Sequence, residues 1–375
     1  MTDGLHCEVV PFDQIDFSDP IFDSVRHDYP DHDEWYCRAN ETKDSRCALV
    51  VRASLSAYAG IAILKYGESP DGPSQTGLKI STFKVAPQAQ AQGIADILLS
   101  HVFERAIEQQ IDVVFTTVLP NHEDVSRYLE LRGFRRVAFE TRRGERIYVA
   151  DISHPERIYS DLNRLAYDLL ADEYRNRSYS PGPTQESPEY LAGLLAKHLL
   201  PSSRRVLELG PGSGEVLNAL GKVAVDTVSV EISPRMAMIA RQRAPNALIL
   251  IGDILNLDFP PGSFDGVYAG AFLHLFPQSE AARLVRQIAR WTRSDGAVFV
   301  NTSIADEFSE SLELKADYLH RVARFRSRWT EDQFQRLVKS NGLSIIERVT
   351  TDERERGKFW VAYLCKPSMQ NQEIE

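Results

Sequence analysis

"VLELGPGSGEVLNAL", residues 206–220, decides how the second half of this 375-residue chain is read. Apolar residues that suit a buried strand run into Gly210-Pro-Gly212-Ser-Gly214, and a helical pattern begins directly after. Glycines at such a junction let the backbone approach a ligand closely. The plan also occurs upstream, in "KVAPQAQAQGIADILLSHVFERA" (84–106). There the loop Gln90-Ala-Gln-Gly93-Ile-Ala95 follows a strand and opens a helix with apolar residues at Ile94, Ile97, Leu98, Val102 and Ala106. Two such junctions predict either two cofactor sites or one site and one packing turn.

Around the first junction in the chain, "RCALVVRA", "YAGIAILKYG", "GLKISTFKVA" and "IDVVFTTVL" read as strands. "EDVSRYLELRGF" reads as a short helix stopped at Gly133, and "RRVAFETRRGERIYVAD" as a hairpin turning at Arg143-Gly144. "ISHPERIYSD" marks the boundary, and a helix "YSDLNRLAYDLLADEYRNR" and a Ser/Pro-rich loop follow it. Beyond these, "RVLELG", "TVSVEI", "ALILIGD", "FDGVYAG", "GAVFVNT", "LSIIERV" and "FWVAYLC" give seven strands with intervening helices. That alternation predicts a doubly wound α/β sheet. The expected domains are 1–155, an α+β unit, and 156–368, a Rossmann-like unit, with a disordered tail over 369–375.

The length favours two cores over one. Composition is 43% hydrophobic and 26% charged, as in ordinary soluble proteins. No apolar run approaches the roughly 20 residues of a membrane span, and the acidic N-terminus lacks a signal-peptide core. Cys7, Cys37, Cys47 and Cys365 show no metal-ligand spacing, so reduced thiols and a cytoplasmic setting are expected. The net charge of −10 argues against a general grip on nucleic acid. Residues 1–44 alone carry twelve acids against Arg26, Arg38 and Lys43, which suits an amine-bearing acceptor near the first domain as well as a merely solvated face.

Three features add to the 206–220 loop, where Glu208 sits within the strand end. Glu231 ends the next strand, where a carboxylate accepts hydrogen bonds from ribose hydroxyls. Gly252-Asp253-Ile254 ends the third, where a carboxylate and a backbone amide can read an adenine edge. "SFDGVYAGAFLHLF" (263–276) supplies a fourth strand that closes beside the reactive end of a ligand. The constellation resembles the class I S-adenosylmethionine-dependent methyltransferases over about residues 158–366. The resemblance implies that Glu208, Gly210, Gly212 and Gly214 line the methionine end, that Glu231 binds ribose, and that Asp253 with Ile254 binds adenine. A nicotinamide cofactor would want G-x-G-x-x-G, and here the third glycine falls one residue early.

The loop Gln90–Ala95 exposes successive backbone N–H groups at a helix start, an anion site with room for a pyrophosphate. With the strands around it, residues 8–150 resemble the GNAT acetyltransferases, whose acetyl-coenzyme A loop reads [RQ]-x-x-G-x-[GA]. The resemblance implies that Gln90, Gly93 and Ala95 hold the coenzyme and that the Val85 strand offers a backbone N–H to the thioester carbonyl. The family's usual thiolate acid, a Tyr four residues before Gly-Phe, falls on Leu129. Tyr128 is one residue off and is the candidate left for that role. The usual Asn falls on His122.

Two further stretches are open to two readings each. "RHDYPDHDEW" (26–35) gathers acids and two histidines. The spacing does not suit a metal, and the stretch is expected to cap the acceptor mouth of the first domain, its carboxylates holding an ammonium or acting as base. "HRVARFRSRW" (320–329) reads as a solvated helix face with Phe325 and Trp329 buried, or as an anion clamp. His274, past the fourth strand, is a candidate base for methyl transfer or a hydrogen-bonded rim residue. The combined expectation is a bifunctional acetyltransferase and methyltransferase acting on small molecules. The alternatives are a methyltransferase with an inactive GNAT-like module, or a cofactor-sensing interaction protein.

Overall fold

The computed structural model describes residues 6–54, 57–70, 77–176, 187–200, 205–224, 226–315, 321–353 and 357–368. The expected tail, 369–375, lies outside them. The chain folds into two compact units. The first is Met1–Leu169 with Leu312–Arg324, and the second is Leu170–Ser311 with Phe325–Glu375.

In the first unit the strands are β1 (Cys7–Pro11), β2 (Arg46–Ser54), β3 (Ala57–Glu68), β4 (Gly77–Val85), β5 (Val113–Val118), β6 (Arg135–Glu140) and β7 (Arg146–Asp151). They form one seven-stranded sheet in the order β1-β2-β3-β4-β5-β7-β6. Every pairing is antiparallel except β4 with β5. A parallel pair needs a crossover, and here it is α3 (Ile94–Glu108). Helices α1 (Asp23–Asp28) and α2 (His32–Asn40) precede β2, and α4 (Glu123–Glu130) follows β5.

The parallel ladder is short. It joins Leu78, Lys79 and Ile80 to Val114, Phe115 and Thr116, after which β4 runs on to Val85 along β3 and β5 to Val118 along β7 without pairing to each other. The sheet is therefore open at the carboxyl ends of these two strands. Gly60 of β3, the register partner of Val85, leaves the space that Ile94 fills. That close approach seats the first turn of α3 beside the open ends.

The first unit extends past the expected boundary at 155. Helix α5 (Tyr159–Asn176) begins inside it. Ile158, Leu162, Leu165 and Ala166 are buried, and a Cβ on Gly133 would come within 3.2 Å of Ile158. Asp161 pairs with Arg135 at 3.3 Å and Arg164 at 3.0 Å. These interactions bind the start of α5 to the first unit, so the change of sequence pattern comes before the change of core.

The second unit holds α6 (Pro188–Ala196), β8 (Arg205–Leu209), α7 (Glu215–Leu220), β9 (Asp226–Glu231), α8 (Pro234–Arg243), β10 (Leu248–Ile251), β11 (Phe264–Ala269), α9 (Gln278–Trp291) and β12 (Thr292–Ser303). In the chain the strand pair β13 (Ser309–Lys315) and β14 (Val322–Arg328) comes next, with Leu312–Arg324 counted in the first unit, then α10 (Glu331–Ser340), β15 (Leu343–Glu353) and β16 (Lys358–Pro367). The main sheet runs β10-β9-β8-β11-β12-β16-β15. Its first five strands are parallel and the last two antiparallel. This is the doubly wound arrangement read from the sequence, with its order reversing between β8 and β11. Ligands bind at the carboxyl ends of strands beside such a reversal.

Residues 322–328 form a strand, not the helix face expected for 320–329, while His320 lies outside the described residues. Val322, Ala323, Phe325 and Trp329 are buried, and Arg324 is buried with them. The arginines are engaged locally. Arg321 pairs with Glu104 and Glu108 at 2.9 and 2.8 Å, and Arg324 donates to the Tyr167 hydroxyl at 3.3 Å. A loose anion clamp does not fit those bonds.

Candidate functional site

The carboxyl ends of β8, β9 and β10 bring together the residues expected to hold a cofactor in the second unit. The backbone continues the ladder into the loops, since the Gly210 N–H donates to the Val230 carbonyl and the Gly252 N–H to the Glu231 carbonyl, each at 2.9 Å. Gly210, Gly212 and Gly214 all have positive φ, at 64°, 56° and 86°. Only their surroundings separate their roles. A Cβ on Gly214 would sit 2.8 Å from the Ala240 Cα, so this glycine lets the start of α7 pack on α8. A Cβ on Gly210 would strike the Phe272 ring at 2.6 Å. A Cβ on Gly212 would meet nothing within 4 Å. Gly212 alone of the three faces open space, as a glycine does when a ligand must approach the backbone.

Glu208 is buried on β8, and its Oε2 has no hydrogen-bond partner among the described residues. Burial raises its pKa well above the usual carboxylate value, and the like charges of Glu215 and Glu231 push the same way. A buried carboxylic group with a vacant acceptor oxygen is poised to take up a cation. Glu231 is buried at the end of β9. Its Oε2 accepts the Gly212 N–H at 3.2 Å and its Oε1 the Ser233 N–H at 2.9 Å. Asp253 caps a short turn by accepting the Leu255 N–H at 2.9 Å, and Ile254 is buried beside it. His274 lies in the turn after β11, buried, with its ring 6.5 Å from that of Trp360. Ala271, one of the described non-glycine residues with positive φ (51°), donates its N–H to Asn301 Oδ1 at 2.5 Å.

In the first unit the loop Gln90–Gly93 is exposed to half-exposed and strained. Ala91 has φ 61° and Gly93, the N-cap of α3, φ 79°. The first bond inside α3 runs from the Ile97 N–H to the Gly93 carbonyl at 3.1 Å, so the N–H groups of Ile94, Ala95 and Asp96 belong to the unpaired first turn. These are anion donors. Asp96 in the same turn would oppose an anion, but Arg132 lies on its carboxylate at 3.0 Å to each oxygen. Val85 stands at the end of β4 next to this turn.

Tyr128 does not point away as its position one residue off the family pattern would suggest. It stacks on Phe83 of β4 with ring centres 6.1 Å apart and donates its hydroxyl hydrogen to Asp96, while Leu129 is in the core. Burial first, then the Asp96 charge, raise its pKa well above 10, which weakens it as an acid. In the stretch 26–35, His32, Asp33 and Asp31 are engaged by protein side chains. His32 is buried among the rings of Phe17, Phe22 and Trp35 at 6.1, 5.8 and 5.5 Å. Asp33 pairs with Arg26 at 3.0 Å and Asp31 with Arg143 at 2.6 Å. Glu145, Lys84 and Thr117, which join Asp28 of this stretch at the open end of the sheet, are not marked by any local pattern in the sequence. All four cysteines are free, and burial pushes the thiols of Cys7 and Cys365 up to about 12. Among the described residues no helix is long and apolar enough to cross a membrane.

Known protein families match two parts of the chain. Residues 207–300 match the model of a methyltransferase domain, and residues 12–134 match that of the GNAT acetyltransferase family. Relatives include a probable ribosomal RNA small subunit methyltransferase A of Pyrobaculum islandicum, 28% identical over 29% of this chain and 43% of the relative. An uncharacterized methyltransferase of Mycobacterium tuberculosis is 28% identical over 35% of this chain and 51% of its own length. The chain thus spans about half, or less, of the length of these curated relatives. Among solved structures, 1,6-didemethyltoxoflavin-N1-methyltransferase of Burkholderia thailandensis is 15% identical, with a TM-score of 0.45 over 56% of this chain and 89% of that one. One chain carries both a GNAT acetyltransferase domain and, after it, a methyltransferase domain.

Proposed function

We propose that the chain is a double transferase. The second unit transfers methyl groups from S-adenosylmethionine, and the first transfers acetyl groups from acetyl-coenzyme A, both to small amine-bearing acceptors. The observation that carries the methyl-transfer reading is the vacant Oε2 of buried Glu208 beside the open face of Gly212. S-adenosylmethionine supplies an activated methyl sulfonium when bound. Glu208 would take its ammonium group, Gly212 would allow close backbone approach, and Glu231 would accept the ribose hydroxyls. Asp253 and Ile254 would flank the adenine. Methyl transfer is a displacement that needs alignment more than a strong base, so His274 is needed chiefly to shape the site.

For acetyl transfer, the first-turn N–H groups of α3 and the Gln90–Ala95 loop would hold pyrophosphate, and Val85 would present its N–H to the thioester carbonyl. One observation favours a second reading for this unit. With Tyr128 committed to Asp96, the leaving thiolate has no strong acid beside it, as in a module that binds the coenzyme without turnover.

The test is calorimetric titration of the full chain with each cofactor, followed by mass spectrometry of amine metabolites for acetyl and methyl gains. Binding with both gains supports the double transferase. Binding of acetyl-coenzyme A without an acetyl gain supports the second reading, and no binding of S-adenosylmethionine overturns the methyl-transfer assignment.

A further inference from the structure

Beyond Ile80 and Thr116 the ladder between β4 and β5 stops, and three further elements send polar groups to the gap. Asp28, the last residue of α1, faces both strand ends. Its Oδ2 lies 3.8 Å from Lys84 Nζ on β4 and 3.4 Å from Nε2 of His122, the residue that caps α4 just after β5. The next residue, Tyr29, donates its hydroxyl to Glu145 Oε1 at 2.7 Å. Thr117 of β5 donates to the same oxygen at 3.3 Å, and Glu145 sits in the turn between β6 and β7. The gap is thus lined by two carboxylates, one imidazole and one ammonium, and it opens one residue from Val85.

Lining alone gives no reaction, but the pairing of His122 does. A carboxylate 3.4 Å from Nε2 favours the tautomer with the proton on that nitrogen, and Nδ1 on the other side of the ring then keeps its lone pair. Asp28 is largely buried and His122 partly exposed, which suits an orienting group behind and a base in front. Glu123, the neighbour of His122 on α4, is turned to Arg146 at 2.7 Å and does not compete for the ring.

We propose that His122 is the proton acceptor of acetyl transfer and that Asp28 positions it. The inference rests on the acetyl-transfer reading of the first unit. A neutral amine of the acceptor attacks the thioester carbonyl carbon. The C–N bond forms as the C–S bond breaks, one N–H proton passes to His122 Nδ1 and then to solvent, and the departing thiolate is protonated by water. Asp28 is engaged by Lys84 and His122, so Glu145, which accepts from Tyr29 and Thr117, is the carboxylate that draws a cationic acceptor into the gap.

The experiment uses the full chain with acetyl-coenzyme A, following free-thiol release with spermidine, with tyramine and with water as the acceptor. His122→Ala is expected to keep coenzyme affinity within twofold and to lose about 100-fold in kcat, the usual contribution of a positioned base. Added imidazole restores part of the rate. His122→Gln, close in size, guards against a folding artefact and is expected to be as slow and not to be rescued. Asp28→Asn is expected to lower kcat with little change in KM and, since the ring is still present, to gain nothing from imidazole. A wild type that does not bind acetyl-coenzyme A overturns the acetyl-transfer reading and this inference with it. If the wild type binds the coenzyme, the inference alone is overturned by any of three results: His122→Ala within threefold of the wild-type rate, parallel loss of rate and coenzyme affinity, or no thiol release by the wild type with any acceptor.

Discussion

Tyr128 donates its hydroxyl hydrogen to Asp96 Oδ1 across 2.9 Å, and Arg132 lies on both oxygens of the same carboxylate. The Arg132 guanidinium also stands over the Tyr128 ring, 5.2 Å from its centre. The hydroxyl therefore serves the first turn of α3 before it serves any leaving group. Tyr128→Phe should cost about 1 kcal/mol of stability, the usual net value of one hydrogen bond. Any acetyl-transfer rate should stay within threefold of wild type. Thermal unfolding and steady-state kinetics check both, and a large fall in kcat with unchanged stability would restore Tyr128 as the acid.

Glu208→Gln separates stability from binding. The folded pKa of Glu208 is raised, so its contribution to stability is complete below the ordinary carboxylate value near 4.5 and is lost as pH rises toward the folded value. A carboxamide has no such loss. Ligand-free Glu208→Gln should match wild type near pH 4 and melt higher near pH 7, by about 2–4 °C per kcal/mol relieved. It should bind S-adenosylmethionine at least tenfold more weakly. Calorimetric scans at the two pH values, with a titration, test the pair of effects.

The three loop glycines should fail in different ways. Gly214→Ala places a methyl on the Ala240 backbone as well as in a left-handed conformation. It should lower the melting temperature more than Gly212→Ala, which bears the conformational strain of roughly 1–2 kcal/mol alone. Gly212→Ala should nevertheless lose more cofactor affinity than stability. Melting curves and titrations on both variants decide whether Gly212 is the ligand-facing position.

Glu231→Ala removes the acceptor for the Gly212 and Ser233 N–H groups as well as for a ribose. S-adenosylmethionine affinity should fall by roughly a hundredfold, equivalent to about 2–3 kcal/mol. Glu231→Gln, which keeps one acceptor oxygen, should fall in between. Calorimetry gives the order directly, and equal affinities across the series would place the ribose elsewhere.

A fragment ending at residue 155 omits Ile158, Leu162 and Leu165, all buried in the first unit. It should be less stable than a fragment ending at residue 169. Urea titration of the two would show the longer fragment with the higher midpoint, and equal midpoints would mean that the start of α5 adds nothing to this core.

Most of both sheets was legible because each strand is a short apolar run beside a glycine or a turn, as with Val206–Leu209 before Gly210. The same held for the glycine loop at 210–214, a contiguous motif. What escaped was either short or non-local. β1 has only Cys7 and Val10 buried and ends at Pro11, too little alternation to mark a strand. In 322–328, Phe325 and Trp329 stand four apart and suggested a helix, while Arg324, Arg326 and Arg328 recur at every second residue and carried the strand period. Asp28, His122 and Glu145 lie in three separate segments, and only the topology of the sheet brings them to one gap.

The first unit recruits residues 312–324 from late in the chain, where Arg321 meets Glu104 and Glu108. Translation adds roughly 5–20 residues per second. The ribosome must therefore make the whole stretch 170–311 before that segment exists, a delay of roughly seven to thirty seconds at those speeds. In that interval the nascent first unit has Glu104 and Glu108 without their arginine, so its final stability is reached only after most of the methyltransferase sequence has been synthesised.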